Sequence, residues 1–179
     1  MNRNFTIDTG RIRCKPFTTD DIDSFNGIIK TDAAVRKFFS FGSLLSFFAR
    51  LNEYDCCPMV IYRYIPGSST LDSKMIGYIN GYHYGSGEML VEFFIAEEFR
   101  QNRYAAEVVH AFTNYMRLSG YFTFRFNVDE ENAACIALME HLHAVHCADE
   151  DFVDEEIPGK KHMYRMYKLT LKKWKRCVE

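Results

Sequence analysis

The apolar positions of this chain change their period several times, and each change marks an element. "RIRCKPF" (residues 11–17) alternates and predicts a strand that Pro16 stops. In "TTDDIDSFNGIIKT" the apolar Ile22, Phe25, Ile28 and Ile29 fall at helical spacing. Thr18 or Thr19 caps that helix, and Asp20 and Asp21 fill its first turn, where acids suit the positive end of the helix dipole. "DAAVRKFF" and "SLLSFFARL" predict a second helical region, rich in Phe and broken near Gly42. Three strands are predicted next, at residues 58–65, 74–84 and 88–96, with "PGSST" and "GSG" as the turns between them. Three strands in succession form an antiparallel meander. The third, "EMLVEFFIA", is so nearly all apolar that it belongs at the centre of a sheet.

Beyond Ala96 the period returns to that of a helix. Tyr104, Ala105, Val108, Val109, Phe112 and Met116 line one face, Arg117 sits in the last turn, and Gly120 supplies a left-handed end. "YFTFRFNV" (residues 121–128) alternates as a strand, so a right-handed crossover sets residues 88–96 and 121–128 side by side and parallel. "DEENAACIALMEHLHAV" (residues 129–145) is helical again, and "DFVDEEI", "PGKK" and "HMYRMYKLTL" close the chain as a hairpin. The order is β-α-α-β-β-β-α-β-α-β-β, with neither repeat nor linker. The expected class is α+β, mixed α/β: one domain over residues 1–179, with helices flanking a twisted, mixed, mostly antiparallel sheet of about six to seven strands.

Composition changes this picture little. Hydrophobic residues make up 47% of the 179, and aromatics 16%, enough for one well-buried core. The formal net charge of −2 gives no global pull towards nucleic acid or an acidic membrane, so neither is an expected partner. "MNRNFTIDTGRIRC" lacks the apolar centre of a signal peptide, and "FFSFGSLLSFFA" is too short to span a bilayer, so a cytoplasmic protein is expected. Cys14, Cys56, Cys57, Cys135, Cys147 and Cys177 form no CxxC pair, which predicts buried free thiols rather than disulfides.

The order and spacing of these segments resemble the GNAT acyltransferase superfamily, most of all its RimJ/RimL-type branch, which acetylates the N-terminal amine of ribosomal proteins. "RIRCKPFTTDDID" resembles that branch's opening strand and helix, and "MIGYI" its third strand. "FIAEEFRQNRYAAEVV" resembles its strand-loop-helix, "NVDEENAACIALMEHLH" its next strand and helix, and "KHMYRMYKL" its closing strand. The resemblance implies acetyl-CoA as co-substrate and an amine acceptor, either a peptide N-terminus or a small amine; the aromatic content fits a large core in a monomer or the surface of a homodimer. It assigns the cofactor to Phe94 and Ile95 at the strand end, to the loop Arg100, Gln101, Asn102 and Arg103, to Tyr104 and Ala105 at the helix start, and to Asn132. The physics behind the loop is general: unpaired backbone donors and a helix dipole together make an anion site.

The chain departs from the family where Gln101 and Arg103 stand in place of glycine. Two outcomes compete there: Arg100 and Arg103 grip phosphate with their guanidinium groups, or the side chains fill the pocket and exclude the cofactor. Amine acetylation needs a base to make the amine neutral and a donor for the leaving sulfur. Glu92, an acid within the apolar "LVEFFI", is the candidate base, set against an ordinary paired surface acid. Cys135 stands where the branch often has Ser near the thioester; it is either a weak S–H donor or an inert buried thiol. Asn132 is either a pantetheine contact or a first-turn helix residue. Met139 replaces the tyrosine acid of other branches, and Tyr167 is a distant substitute or a sheet aromatic. His143, His146 and Cys147 have helical metal-ligand spacing without a second ligand pair, so no metal is expected. His143 also stands where the family usually has glycine. The tail "KKWKRCVE" reads as a solvated basic end.

Overall fold

The structure is a computed structural model that describes residues 5–39, 44–65, 70–153 and 161–172. The elements are β1 (Ile7–Asp8), β2 (Ile12–Pro16), α1 (Ile22–Thr31), α2 (Ala33–Phe38), α3 (Leu44–Glu53), β3 (Met59–Tyr64), β4 (Leu71–Gly85) and β5 (Glu88–Ile95). They continue with α4 (Tyr104–Leu118), β6 (Thr123–Asp129), α5 (Ala133–His141), β7 (Val145–Val153) and β8 (Lys161–Thr170). The strands form one 8-stranded sheet in the order β1-β2-β3-β4-β5-β6-β8-β7. Every pairing is antiparallel except β5 with β6, which is parallel as the crossover predicts.

The mixed α+β class is therefore as expected, with an eighth strand because the short β1 escaped the pattern. The second helical region is two helices. Asp32 separates α2 from α1, and its carboxylate caps α2 by accepting the N–H groups of Ala34 and Val35 at 3.1 Å. The helix predicted over residues 129–145 is corrected: α5 ends at His141, and Val145 already belongs to β7. His143 turns left-handed there, and the Ala144 N–H returns to the Met139 carbonyl at 2.9 Å, which closes the helix. The basic tail beyond Lys172 and the "PGKK" turn before Lys161 lie outside the described residues.

Alternation along β5 divides the core. Met89 and Val91 join Val108, Val109 and Phe112 of α4 in one cluster. Phe94 joins Phe25 of α1, Val35 of α2, Phe47 of α3 and Tyr78 of β4 in the other. Each such side chain removed from water contributes about 1.5–3 kcal/mol, so the Phe-rich segments hold α1, α2 and α3 to the sheet. The close β4–β5 approach depends on glycine: a Cβ at Gly77 would stand 2.3 Å from the Phe94 carbonyl oxygen. No helix among the described residues is long and apolar enough to cross a membrane. Cys14, Cys56 and Cys57 are buried free thiols, Cys135 is half-buried and free, but Cys147 is exposed.

One feature of the sheet positions the candidate site. β5 stays paired to β4 as far as Ile95, and β6 stays paired to β8 as far as Asp129. Between β5 and β6, however, the ladder covers only Glu88, Met89 and Leu90 against Thr123, Phe124 and Arg125. Past Leu90 the sheet divides. The split opens towards the strand ends from which α4 and α5 start.

Candidate active site

The loop between β5 and α4 keeps a glycine-type backbone without glycine. Gln101 and Arg103 both have φ of 62°, in the left-handed region. For residues with a side chain this conformation costs roughly 1–2 kcal/mol each. Arg103 is the residue before α4 and provides no side-chain cap. The first backbone hydrogen bond of that helix runs from the Glu107 N–H to the Arg103 carbonyl at 3.2 Å. Among the described residues, the N–H groups of residues 101–106 have no acceptor. They are the unpaired donors at the positive end of a 15-residue helix, which is the anion-site arrangement.

The loop side chains leave these donors uncovered. Arg100 turns away: its Nε donates to the Ile95 carbonyl at 2.9 Å and its Nη2 to Asp32 at 2.5 Å. The guanidinium is thus engaged by a buried carboxylate that also accepts the Glu97 N–H, in competition with the expected grip on phosphate. Burial alone would raise Asp32, but Arg100 and the backbone donors outweigh it and hold the carboxyl below its usual range. The Asn102 amide folds back onto the carbonyls of Phe99 and Arg100, at 3.2 and 3.0 Å. The Gln101 and Arg103 side chains are exposed and make no hydrogen bond or ion pair among the described residues. A diphosphate therefore fits the site, met by backbone donors and open to the exposed Arg103. Phe94 and Ile95 are buried at the end of β5, past the last β5–β6 pair; Phe94 faces the Phe-rich core.

Glu92 lies two residues beyond that last pair, directly across from Asn80 on β4. Its Oε1 accepts the Tyr82 hydroxyl at 2.6 Å, with the Tyr78 hydroxyl and the Asn80 amide each at 3.4 Å. Its Oε2 has no partner among the described residues. Burial pushes the carboxyl above the usual glutamate range; the Tyr82 hydroxyl, Arg50 of α3, Asn80 and Tyr78 oppose this but do not cancel it. Asn80 is itself fixed, its Oδ1 accepting the Cys57 N–H at 3.1 Å. Sequence reasoning missed Tyr78, Asn80 and Tyr82. They are the cross-strand partner and the two diagonal neighbours of Glu92, so the hairpin register carried the signal.

On the other side of the split, Asn132 caps α5 by accepting the Cys135 N–H at 3.1 Å. The helix-start role is therefore real, while its amide N–H groups have no partner among the described residues. Burial pushes the Cys135 thiol up to about 12, so it stays an S–H group at neutral pH. Met139 is fully buried. Tyr167 is a core residue of β8, its ring 5.4 Å from that of His146, in the sheet-aromatic role. The helical spacing of His143, His146 and Cys147 is not realised, because α5 stops before them; His146 pairs with Asp149 and Cys147 donates to the Met166 carbonyl.

Comparison with known proteins fits this geometry. The acetyltransferase (GNAT) domain family model matches residues 11–145. The fold is similar to that of the acetyltransferase from Salmonella typhimurium that modifies the N-terminal serine of the 50S ribosomal subunit protein L7/L12. The TM-score is 0.75 at 12% identity, covering 94% of this chain and 100% of that one. It is similar also to RimL, a ribosomal L7/L12 α-N-protein acetyltransferase, in complex with coenzyme A joined to that protein through a disulfide. Here the TM-score is 0.72 at 11% identity, over 93% of this chain and 98% of that one. A domain from Methanocaldococcus jannaschii gives a TM-score of 0.69 at 14% identity, over 89% and 98% of the two chains. At such identities the likeness is one of fold. No curated protein sequence matches the chain significantly. With the family model spanning most of its length, and the split sheet and uncapped helix start in place, the chain belongs to the GNAT acetyltransferase family, whose co-substrate is acetyl-CoA.

Proposed function

We propose that the chain is an N-acetyltransferase that moves the acetyl group of acetyl-CoA to a primary amine by direct attack, acting as one unit over its whole length. A protein N-terminus is the favoured acceptor, because the similar folds include enzymes named for that substrate. The observation that carries the reading is the uncapped start of α4. Two residues that bear side chains hold a left-handed backbone, and the donors they present lack acceptors among the described residues. Such strain persists where surrounding structure maintains it, commonly at ligand sites.

Acetyl-CoA, when bound, supplies an activated acetyl thioester. The N–H groups of residues 101–106 hold its diphosphate, with Arg103 adding charge from the rim. Glu92 accepts the amine proton at Oε2, while Oε1 stays fixed by Tyr82. A raised carboxyl is a stronger base than an exposed one and suits work near neutral pH. The Asn132 amide donates to the pantetheine arm without giving up its cap. As the C–N bond forms and the C–S bond breaks, the sulfur leaves as a thiolate and the amine proton rests on Glu92; the Cys135 thiol, held protonated, would give that sulfur a weak S–H hydrogen bond without losing its proton.

Calorimetry with acetyl-CoA and turnover with peptide, polyamine and aminoglycoside acceptors test this. Micromolar binding is expected, and Glu92→Gln lowers kcat by about 10²-fold or more with little change in acetyl-CoA affinity. Equal turnover in the variant removes Glu92 from the mechanism. A second reading, a non-catalytic interaction module, is favoured by the buried Met139 where other branches carry a tyrosine acid. Absence of acetyl-CoA binding at millimolar ligand decides for it.

A further inference from the structure

Arg11 stands in the turn between β1 and β2, about ninety residues before the cofactor loop, yet its side chain is committed to that loop. Its Nη1 donates to the Asn102 carbonyl at 3.2 Å. Its Nε donates to Glu107 at 2.8 Å and its Nη2 to the same carboxylate. The guanidinium lies over the Tyr104 ring, 5.0 Å from the centroid. Glu107 also accepts the Thr9 hydroxyl, and the Thr9 oxygen accepts the N–H groups of Arg11 and Ile12 at 3.2 and 3.0 Å. One planar fork thus touches the chain on both sides of Arg103. The carbonyl it holds belongs to Asn102, the residue between the two left-handed ones.

An exposed ion pair by itself contributes little to stability. Here the fork does something else: it fixes one peptide plane and one ring around a strained backbone. A lysine has the charge but lacks the planar, three-point geometry. We propose that Arg11 is a positioning residue for the cofactor loop. By holding the Asn102 carbonyl it keeps Gln101 and Arg103 left-handed, the conformation that glycine adopts without strain, and so keeps the loop N–H groups presented to the diphosphate. This rests on the reading that the loop binds acetyl-CoA. The Arg11 side chain is 52% exposed, so truncating it opens no cavity and the variants fold.

The test uses the full chain, calorimetry with coenzyme A, and the backbone NMR chemical shifts and couplings of residues 101–103, which report their left-handed φ. Arg11→Ala weakens coenzyme A binding about tenfold or more and moves these signals away from their left-handed values; Arg11→Lys does not restore either. Adding Gln101→Gly and Arg103→Gly to Arg11→Ala returns affinity to within about threefold of the glycine pair alone, because an unstrained loop no longer needs holding. Wild-type affinity and wild-type signals in Arg11→Ala overturn the proposal, and so does failure of the glycine pair to rescue. If the wild-type chain binds no coenzyme A, the functional reading fails by itself. The signals then still decide on Arg11: loss of the left-handed values in Arg11→Ala supports it and unchanged values overturn it.

Discussion

The two helices that start at the split begin in opposite ways. α5 starts complete: Asn132 caps it, and the Asp129 carboxylate before it accepts the Glu131 N–H at 2.8 Å. α4 starts incomplete, with no side-chain cap, a left-handed residue at its threshold and donors without acceptors among the described residues. The strands feeding them differ in the same sense. β6 ends in an acid, Asp129, tied to its own turn, whereas β5 carries Glu92 with one oxygen fixed and one left over. A helix start closed by its own side chain serves the fold. One held open against conformational strain is the kind of start that a ligand completes, which is why the proposed anion site and base lie on the β5–α4 side.

The sharpest way to break this comparison is to forbid the open geometry. Proline fixes φ near −65°, far from the 62° of Arg103. Arg103→Pro should abolish coenzyme A binding and lower the melting temperature by several degrees. Retained micromolar binding by calorimetry would mean that the loop is not the anion site.

A smaller and opposite-signed pair sharpens it. Asn132→Ala removes a working cap and should cost about 1 kcal/mol, or about 2–4 °C in Tm for a chain of this size. Asn132→Asp keeps the capping oxygen but loses the amide donor, so stability holds while affinity for acetyl-CoA falls. Arg103→Gly relieves strain at the open start and should instead raise stability, by no more than about 1 kcal/mol after the extra chain entropy of glycine, and Tm with it. Tm change of the same sign in Asn132→Ala and Arg103→Gly would erase the distinction between the two starts.

Much of this contrast was legible in the sequence, and the rest fails for identifiable reasons. Gln101, Arg103 and His143 stand where the family resemblance puts glycine, and they are the non-glycine residues with positive φ, at 62°, 62° and 57°, among the described ones. The backbone requirement outlived the residue type, so the loop could be read although its chemistry had changed. Gln101 and Arg103 project outward because their neighbours, not they, are fastened. That depended on Asp32 reaching Arg100 and on Arg11 reaching Asn102, contacts between distant segments that no local pattern encodes. The end of α5 was missed because a left-handed histidine gives none of the helix-stop signal that glycine gives. The Glu92 partners were missed for a subtler reason. A bulge between His83 and Gly85 shifts the β4–β5 register, and counting back from the turn without it puts the wrong residues beside Glu92.

The smallest expected effect tests the β5 side alone. The Tyr82 hydroxyl donates to the Glu92 carboxylate and so favours its charged form, against the burial that raises it. Tyr82→Phe removes that donor and leaves burial in place, so the carboxyl rises further. A base works only when unprotonated. The acid limb of kcat/KM should therefore lie above the ordinary glutamate range in the wild type and move to still higher pH in Tyr82→Phe. At pH well above the limb the carboxylate is formed in both proteins, and their rates should converge apart from any loss of orientation. Phenylalanine keeps the ring edge that Tyr82 presents to Tyr54, so packing changes little. If the limb stays in place in Tyr82→Phe, Glu92 is not the group that titrates, and the contrast between the two sides of the split loses its catalytic meaning.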